Sequence, residues 1–101
     1  MKNVNIVCTS KPGDGLLHYS YEHCCFLNDL GINARLIIVR DPRFTRQTYL
    51  NAINECYIKN ENVVFDFFTP SSNDITLIMG RSQLTLGYLN KVSYTHLRAH
   101  E

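Results

Sequence analysis

The opening stretch of the chain constrains the fold more than any other. An apolar run from Val4 to Thr9 is followed by a short glycine loop, Lys11 to Gly15, then by an amphipathic segment and a second apolar run, Ile32 to Val39. Strand, tight turn, helix and strand in that order form a βαβ unit, and ligands of open α/β sheets sit at the carboxyl ends of the strands. A small-molecule site beside the glycine loop is the first expectation.

Gly13 and Gly15 break the first strand, and Asp14 stands where a side chain can cap the helix that follows. That helix is expected over Leu16 to Leu30, with Leu17, Tyr21, Cys24 and Leu27 or Asn28 inward and His18, Glu22 and Asp29 toward solvent. Gly31 ends it. Ala34 to Val39 is apolar apart from Arg35, the pattern of a parallel strand covered on both faces. Asp41-Pro42 then turns the chain out of the sheet, and Thr45 or Thr48 can cap a second helix over Gln47 to Lys59. Its apolar stripe is Tyr49, Leu50, Ile53, Cys56 and Tyr57. Asn62 to Phe68 reads as a third strand and Asp74 to Met79 as a fourth, with a polar loop between them. Gly80 ends the fourth strand, and Arg81 to Asn90 carries the leucine spacing of a further helix. The elements predict an α/β fold, a Rossmann-like three-layer open parallel sheet of about four strands.

A chain of 101 residues holds one small domain. At 45% apolar and 19% charged residues it is ordinary globular material, and no apolar run is long enough to span a membrane. Polar Asn3, Asn5, Thr9 and Ser10 interrupt the first apolar stretch, so a signal peptide is not expected and a cytoplasmic setting is. Cys8, Cys24, Cys25 and Cys56 fall inside expected strands and helices and are read as free thiols. The net charge of +1 gives no global attraction to nucleic acid, although Arg40, Arg43 and Arg46 gather in one stretch.

Three places could carry chemistry. In the loop Lys11-Pro12-Gly13-Asp14-Gly15, backbone amides and the helix N-terminus could approach a phosphate or a sugar hydroxyl, or the loop could be only a tight strand-to-helix turn. A dinucleotide fingerprint would need glycine where His18 stands, and a P-loop would need an absent Gly-Lys-Ser/Thr ending. His18 is a candidate ligand contact, with a solvated helix position as its alternative. His18 and His23 lie five positions apart, share no helix face, and with Cys24 and Cys25 make a poor zinc set, so no metal is expected. The second place is Arg40 to Arg46, after strand two, where Arg40 and Arg43 could contact phosphate or form a solvated loop. The third is Arg81, after strand four, placed for an anionic ligand or to decorate its helix.

The last ten residues, VSYTHLRAHE, resemble the in-frame translation of a transposase-based sequencing adapter. GTC TCT TAT ACA CAT CTC CGA GCC CAC GAG encodes all ten. Residues 92–101 are therefore expected to be an artefact, which removes His96, Arg98 and His100 from any site. Residues 1–91 are then expected to be a truncated Rossmann-like domain whose natural frame continues past Lys91.

The segment from Asn5 to Val39 resembles the amino-terminal half of a GT-B glycosyltransferase of the large retaining type 4 family. The matching positions are Gly15, Tyr19, Ser20 and Glu22 in the helix and Gly31 before strand two; Asp74 to Gly80 resembles the family's later strand-to-loop unit. Where the family often has histidine after the fourth strand, this chain has Met79-Gly80-Arg81. A narrower similarity, Gly15 through Arg46, is to phage enzymes that glucosylate modified DNA bases.

The resemblance implies the acceptor-side half of a cleft whose nucleotide-sugar donor is held by a carboxyl-terminal domain. It implies transfer without a compulsory metal or other cofactor, a sugar acceptor or modified DNA as partner, and a fragment inactive alone. Lys11, Gly13, Asp14, Gly15, His18, Arg40, Arg43 and Arg81 are the expected substrate-binding residues. A small stand-alone α/β binding or regulatory protein of phage or bacterial origin is the alternative. An uncovered sheet edge would promote self-association in either case.

Overall fold

A computed structural model describes residues 3–54, 62–66, 70–71, 73–80 and 85–90. In chain order the elements are β1 (Val4–Cys8), α1 (Gly15–Asp29), β2 (Ala34–Ile38), α2 (Arg46–Ile53), β3 (Val63–Phe65) and β4 (Ile75–Met79), with residues 85–90 also helical. The strands form one parallel sheet in the order β3-β2-β1-β4. Ile6 of β1 stands level with Leu36 on one side and Leu77 on the other. This is the open α/β sheet that the strand and helix spacing predicts.

Side chains alternate across the sheet, so β1 and β2 feed two cores. Ile6, Cys8, Leu36 and Ile38 point to one face and pack with Leu17, Tyr21 and Cys24 of α1 and Tyr49 and Ile53 of α2. Val7, Ile37 and Val39 point to the other and pack with Tyr88 of the 85–90 segment. Two covered faces make three layers. Burial pushes the Tyr88 phenol up to about 12 and the Cys24 thiol to about 11, the latter helped by adjacent Cys25, so both groups stay protonated at neutral pH.

Local chemistry sets the ends of the elements. Asp14 caps α1 by accepting from the Leu16 N–H, and Thr45 caps α2 by accepting from the Thr48 N–H. At the other end of α1, Gly31 has φ of +85° and donates to the Asn28 carbonyl, while the Ile32 N–H reaches back to Leu27. That pair of bonds is a Schellman closure, which needs a residue able to take positive φ. The Asn28 side chain then holds the start of β2, donating to the Ala34 carbonyl and accepting from its N–H. Helix, turn and second strand are thus joined by one asparagine.

One boundary differs from expectation. The third strand ends at Phe65, because Asp66 takes φ of +43° and directs its carboxylate to the Arg40 N–H. The second helix is described only through Ile53, and expectations for 55–61, 67–69, 81–84 and 91–101 lie outside the described residues. Those include Cys56, Arg81 and the adapter-like tail. Among the described residues no helix is long and apolar enough to cross a membrane.

Gly80 follows β4 with φ of +140°, and a Cβ built there would lie 2.0 Å from Thr9 Oγ1. At Gly13 a Cβ would meet nothing within 4 Å. Gly80→Ala is therefore expected to cost about 2 kcal/mol or more in urea unfolding, and Gly13→Ala to stay within about 1 kcal/mol of the parent. Equal stabilities for the two variants would contradict the Thr9–Gly80 approach.

Candidate functional site

The carboxyl edge of the sheet carries the turn after β1, the turn after β2 and the ends of β3 and β4. Tyr49 ties the first two together from beneath. Its side chain is wholly buried, and its hydroxyl donates to the Ser10 carbonyl at 3.0 Å while accepting from the Asp41 N–H at 2.8 Å. One phenol oxygen thereby fixes the spacing of the two loops that a ligand at this edge would meet. Burial raises its pKa, so it remains a neutral donor.

The β2–α2 turn is organised by two aspartates. Asp41 accepts from the Arg43 backbone N–H at 2.9 Å and holds its guanidinium in a fork, with Nη2 to Oδ2 at 2.8 Å and Nε to Oδ1 at 3.1 Å. Those hydrogen bonds hold the Asp41 carboxyl down at about 2, and the positive charge of Lys11 adds a smaller attraction. Asp66 accepts from the Arg40 backbone N–H at 2.7 Å and from Arg40 Nε at 3.3 Å. Arg40 Nη1 also donates to the Phe44 carbonyl at 2.6 Å. The turn is cross-linked on both sides.

All three arginines of the cluster are consequently engaged with the chain itself. Arg40 pairs with Asp66, Arg43 pairs with Asp41 and lies 5.8 Å from the Phe44 ring centre, and Arg46 lies 5.6 Å from that of Phe65. A phosphate arriving here meets guanidiniums whose charge is already balanced in two cases. Hydroxyl groups meet something different, carboxylate acceptors and guanidinium donors side by side.

The glycine loop is exposed at Lys11, Gly13, Asp14 and Gly15. Asp14 Oδ1 takes the Leu16 N–H at 3.1 Å, and the Asp14 N–H is bonded to the Lys11 carbonyl. A carboxylate therefore already sits at the start of α1, where a bound phosphate would compete with it. The Lys11 charge adds a small attraction for the Asp41 carboxylate of the neighbouring turn.

His18 is elsewhere. Expected at solvent or at a ligand, it is half-buried and donates Nε2–H to the Ala52 carbonyl of α2 at 2.6 Å, joining the two helices. His23 instead meets Tyr19 edge-to-face at 6.2 Å, and together with Glu22 and Phe26 these line an open groove of about 320 Å³ on α1. Among the described residues no group of three or more His, Cys, Asp or Glu side chains could hold a metal ion. Arg81 lies outside the described residues.

Where β1 and β4 end side by side, Thr9 lies against Gly80, and its hydroxyl is hydrogen-bonded to that of Thr85. Sequence reasoning did not single out Tyr49, Asp41, Asp66 or Thr9 as site residues. Asp66 had a visible signal, a carboxylate inside Val63-Val-Phe-Asp-Phe-Phe68. Tyr49 had none, since an inward tyrosine reads as stripe. No protein-family model matches the chain, and no curated protein or solved structure matches it either.

Two outcomes follow from this geometry. Tyr49→Phe strands the Asp41 N–H and the Ser10 carbonyl, and a loss of about 1–3 kcal/mol in denaturant unfolding is expected. The Asp41 carboxyl is lowered from 3.8 to about 2. A folded-state pKa below the unfolded one stabilises above the unfolded value, and that stabilisation disappears as pH falls through the folded value. Melting temperatures from pH 5 to pH 2 should therefore fall less steeply in Asp41→Asn than in the parent; parallel curves would remove the Asp41–Arg43 pair from the account.

Proposed function

We propose that the chain supplies the acceptor-side half of a GT-B glycosyltransferase, with the acceptor at the carboxyl edge between the β1–α1 and β2–α2 loops. The observation that carries this is the Tyr49 bridge, which holds Ser10 of the first loop and Asp41, with its paired Arg43, of the second together at the edge where parallel α/β sheets bind ligands. The resemblance of the Gly15, Tyr19, Ser20, Glu22 and Gly31 pattern to type 4 transferases supplies the reaction class. The nucleotide-sugar donor would be held by a second domain, so the chain alone binds acceptor and does not turn over.

Pairing at the edge favours a hydroxyl-bearing acceptor over DNA. A phosphate must displace Asp66 from Arg40 or Asp41 from Arg43, giving up charge-assisted hydrogen bonds to form similar ones. Carbohydrate hydroxyls, each both donor and acceptor, can bond to the outer lone pairs and N–H groups without breaking either pair. Phosphate-rich duplex gains affinity chiefly by releasing counterions from unpaired cations, which this turn offers sparingly.

Amide-resolved NMR titration with a neutral oligosaccharide is the direct test. Shifts confined to residues 11–15 and 40–44 are expected, and shifts elsewhere or none at all would refute the acceptor placement. In parallel, no transfer from a radiolabelled nucleotide sugar is expected from the isolated chain, so measurable turnover would overturn its role as a half-site. A gel shift with duplex DNA that weakens steeply with salt, and is lost on neutralising Arg40, Arg43 and Arg46, would move the acceptor to DNA.

A further inference from the structure

We infer that Asp66 sets the acceptor class of the carboxyl edge: its carboxylate fills an oxyanion cradle made by the Arg40 main-chain N–H and guanidinium, and so excludes phosphorylated acceptors in favour of neutral ones. The specificity role rests on the acceptor placement proposed above, and the occupied cradle rests on geometry alone.

The register of the sheet sets this contact apart. Ile38 stands opposite Phe65, and the Asp66 N–H donates to the Ile38 carbonyl at 2.8 Å. In a regular parallel ladder the next bond would run from the Arg40 N–H to the Asp66 main-chain carbonyl. Instead Asp66 turns to φ of +43°, and its Oδ1 takes that N–H at 2.7 Å. A neutral peptide carbonyl would satisfy the same donor without placing a full negative charge there, and without a left-handed backbone that non-glycine residues seldom adopt. The end of β3 is thus built around a charge that its pairing with β2 does not require.

Other contacts hold the cradle in shape. Arg40 Nη1 donates to the Phe44 carbonyl at 2.6 Å, which aims the guanidinium independently of Asp66, and Nε reaches Asp66 Oδ2 at 3.3 Å. A main-chain N–H and a guanidinium N–H converging on two oxygens of one group form a donor set suited equally to phosphate. Here the chain supplies its own oxyanion, from a residue 26 positions away. A tethered group competes at an effective concentration on the order of millimolar, so free phosphate meets both an occupied site and a like charge. Neutral hydroxyls donate and accept around the pair without displacing it. Asp41 also takes an arginine N–H and guanidinium, but its partner Arg43 lies two positions away in the same turn. That side chain is 68% exposed against 30% for Arg40, so removing the Asp41 charge frees a well-solvated cation whose attraction water screens.

Titration of the full chain with inorganic phosphate at constant ionic strength, followed at the Arg40 amide by NMR, tests this. Asp66→Asn keeps the side-chain shape in a residue type that tolerates positive φ, and Asp66→Gly relieves the backbone altogether. Both should keep the circular dichroism of the parent and bind phosphate at least about tenfold more tightly than it does. Combining Asp66→Asn with Arg40→Gln should abolish that gain, and Asp41→Asn should gain less than about threefold. A parent that binds phosphate as tightly as both Asp66 variants, a gain that survives Arg40→Gln, or an equal gain in Asp41→Asn would each overturn the role of Asp66. The phosphate readout does not involve oligosaccharide, so such a result would leave the acceptor placement standing. Absence of oligosaccharide binding to the parent would instead strike that placement, and the specificity role with it, while leaving the occupied cradle.

Discussion

The structure depends on the complete enclosure of β1. Its backbone is paired in parallel with β2 on one side and β4 on the other, and Ile6, Val7 and Cys8 are fully buried on alternating faces. No other described strand is held on all four sides in this way along its length, since β2 has only three residues of β3 beside it. Burying an Ile or Val side chain contributes roughly 1.5–3 kcal/mol, and each buried backbone group left unpaired would offset a similar amount. The remaining elements can be ordered by what they supply to this strand: α1 and α2 cover one face, Tyr88 covers the other, and β2 and β4 satisfy its edges.

Where β1 leaves the sheet, the same enclosure fixes the candidate site. Thr9 remains in register, with its N–H on the Met79 carbonyl, and Ser10 is held by Tyr49, so the glycine loop starts from a rigid point. Beyond it the electrostatics are self-contained, with Asp41 and Asp66 each matched to an arginine of the turn after β2. Neither pair is deeply buried, and exposed ion pairs stabilise little. Their larger effect is on geometry: the Arg43 guanidinium is forked onto Asp41, and that of Arg40 is held between Asp66 and the Phe44 carbonyl, so neither sweeps solvent as a free cation.

Much of this was legible in the sequence, for identifiable reasons. The βαβ unit was readable because β1 and β2 are buried on both faces and so appear as near-continuous apolar runs, and because Asp14 and Gly31 mark the helix ends by local hydrogen bonding. Contacts distant in sequence were not readable. His18 looked like a solvent or ligand residue because its partner, the Ala52 carbonyl, is a backbone group that any residue type provides. The pairing of Arg40 with Asp66 spans 26 positions and depends on β3 lying next to β2, which local pattern does not fix. The arginine cluster was thus visible as charge, while its neutralisation was visible only in three dimensions.

One change in the direction in which strands are added to the sheet accounts for two features that look unrelated. The path β1 to β2 to β3 steps one way across the sheet, and right-handed crossovers then place both α1 and α2 on the same face. The step to β4 goes to the opposite side of β1, and the helical segment after it covers the other face through Tyr88. The change in strand order falls between β1 and β4, where Thr9 packs against Gly80 at a topological switch point. On the first face the described helices α1 and α2 pack over β1 and β2, and Ile75 and Leu77 of β4 stay exposed. The covering of β1 on both faces and the exposure of Ile75 and Leu77 are, in this chain, two consequences of a single strand order.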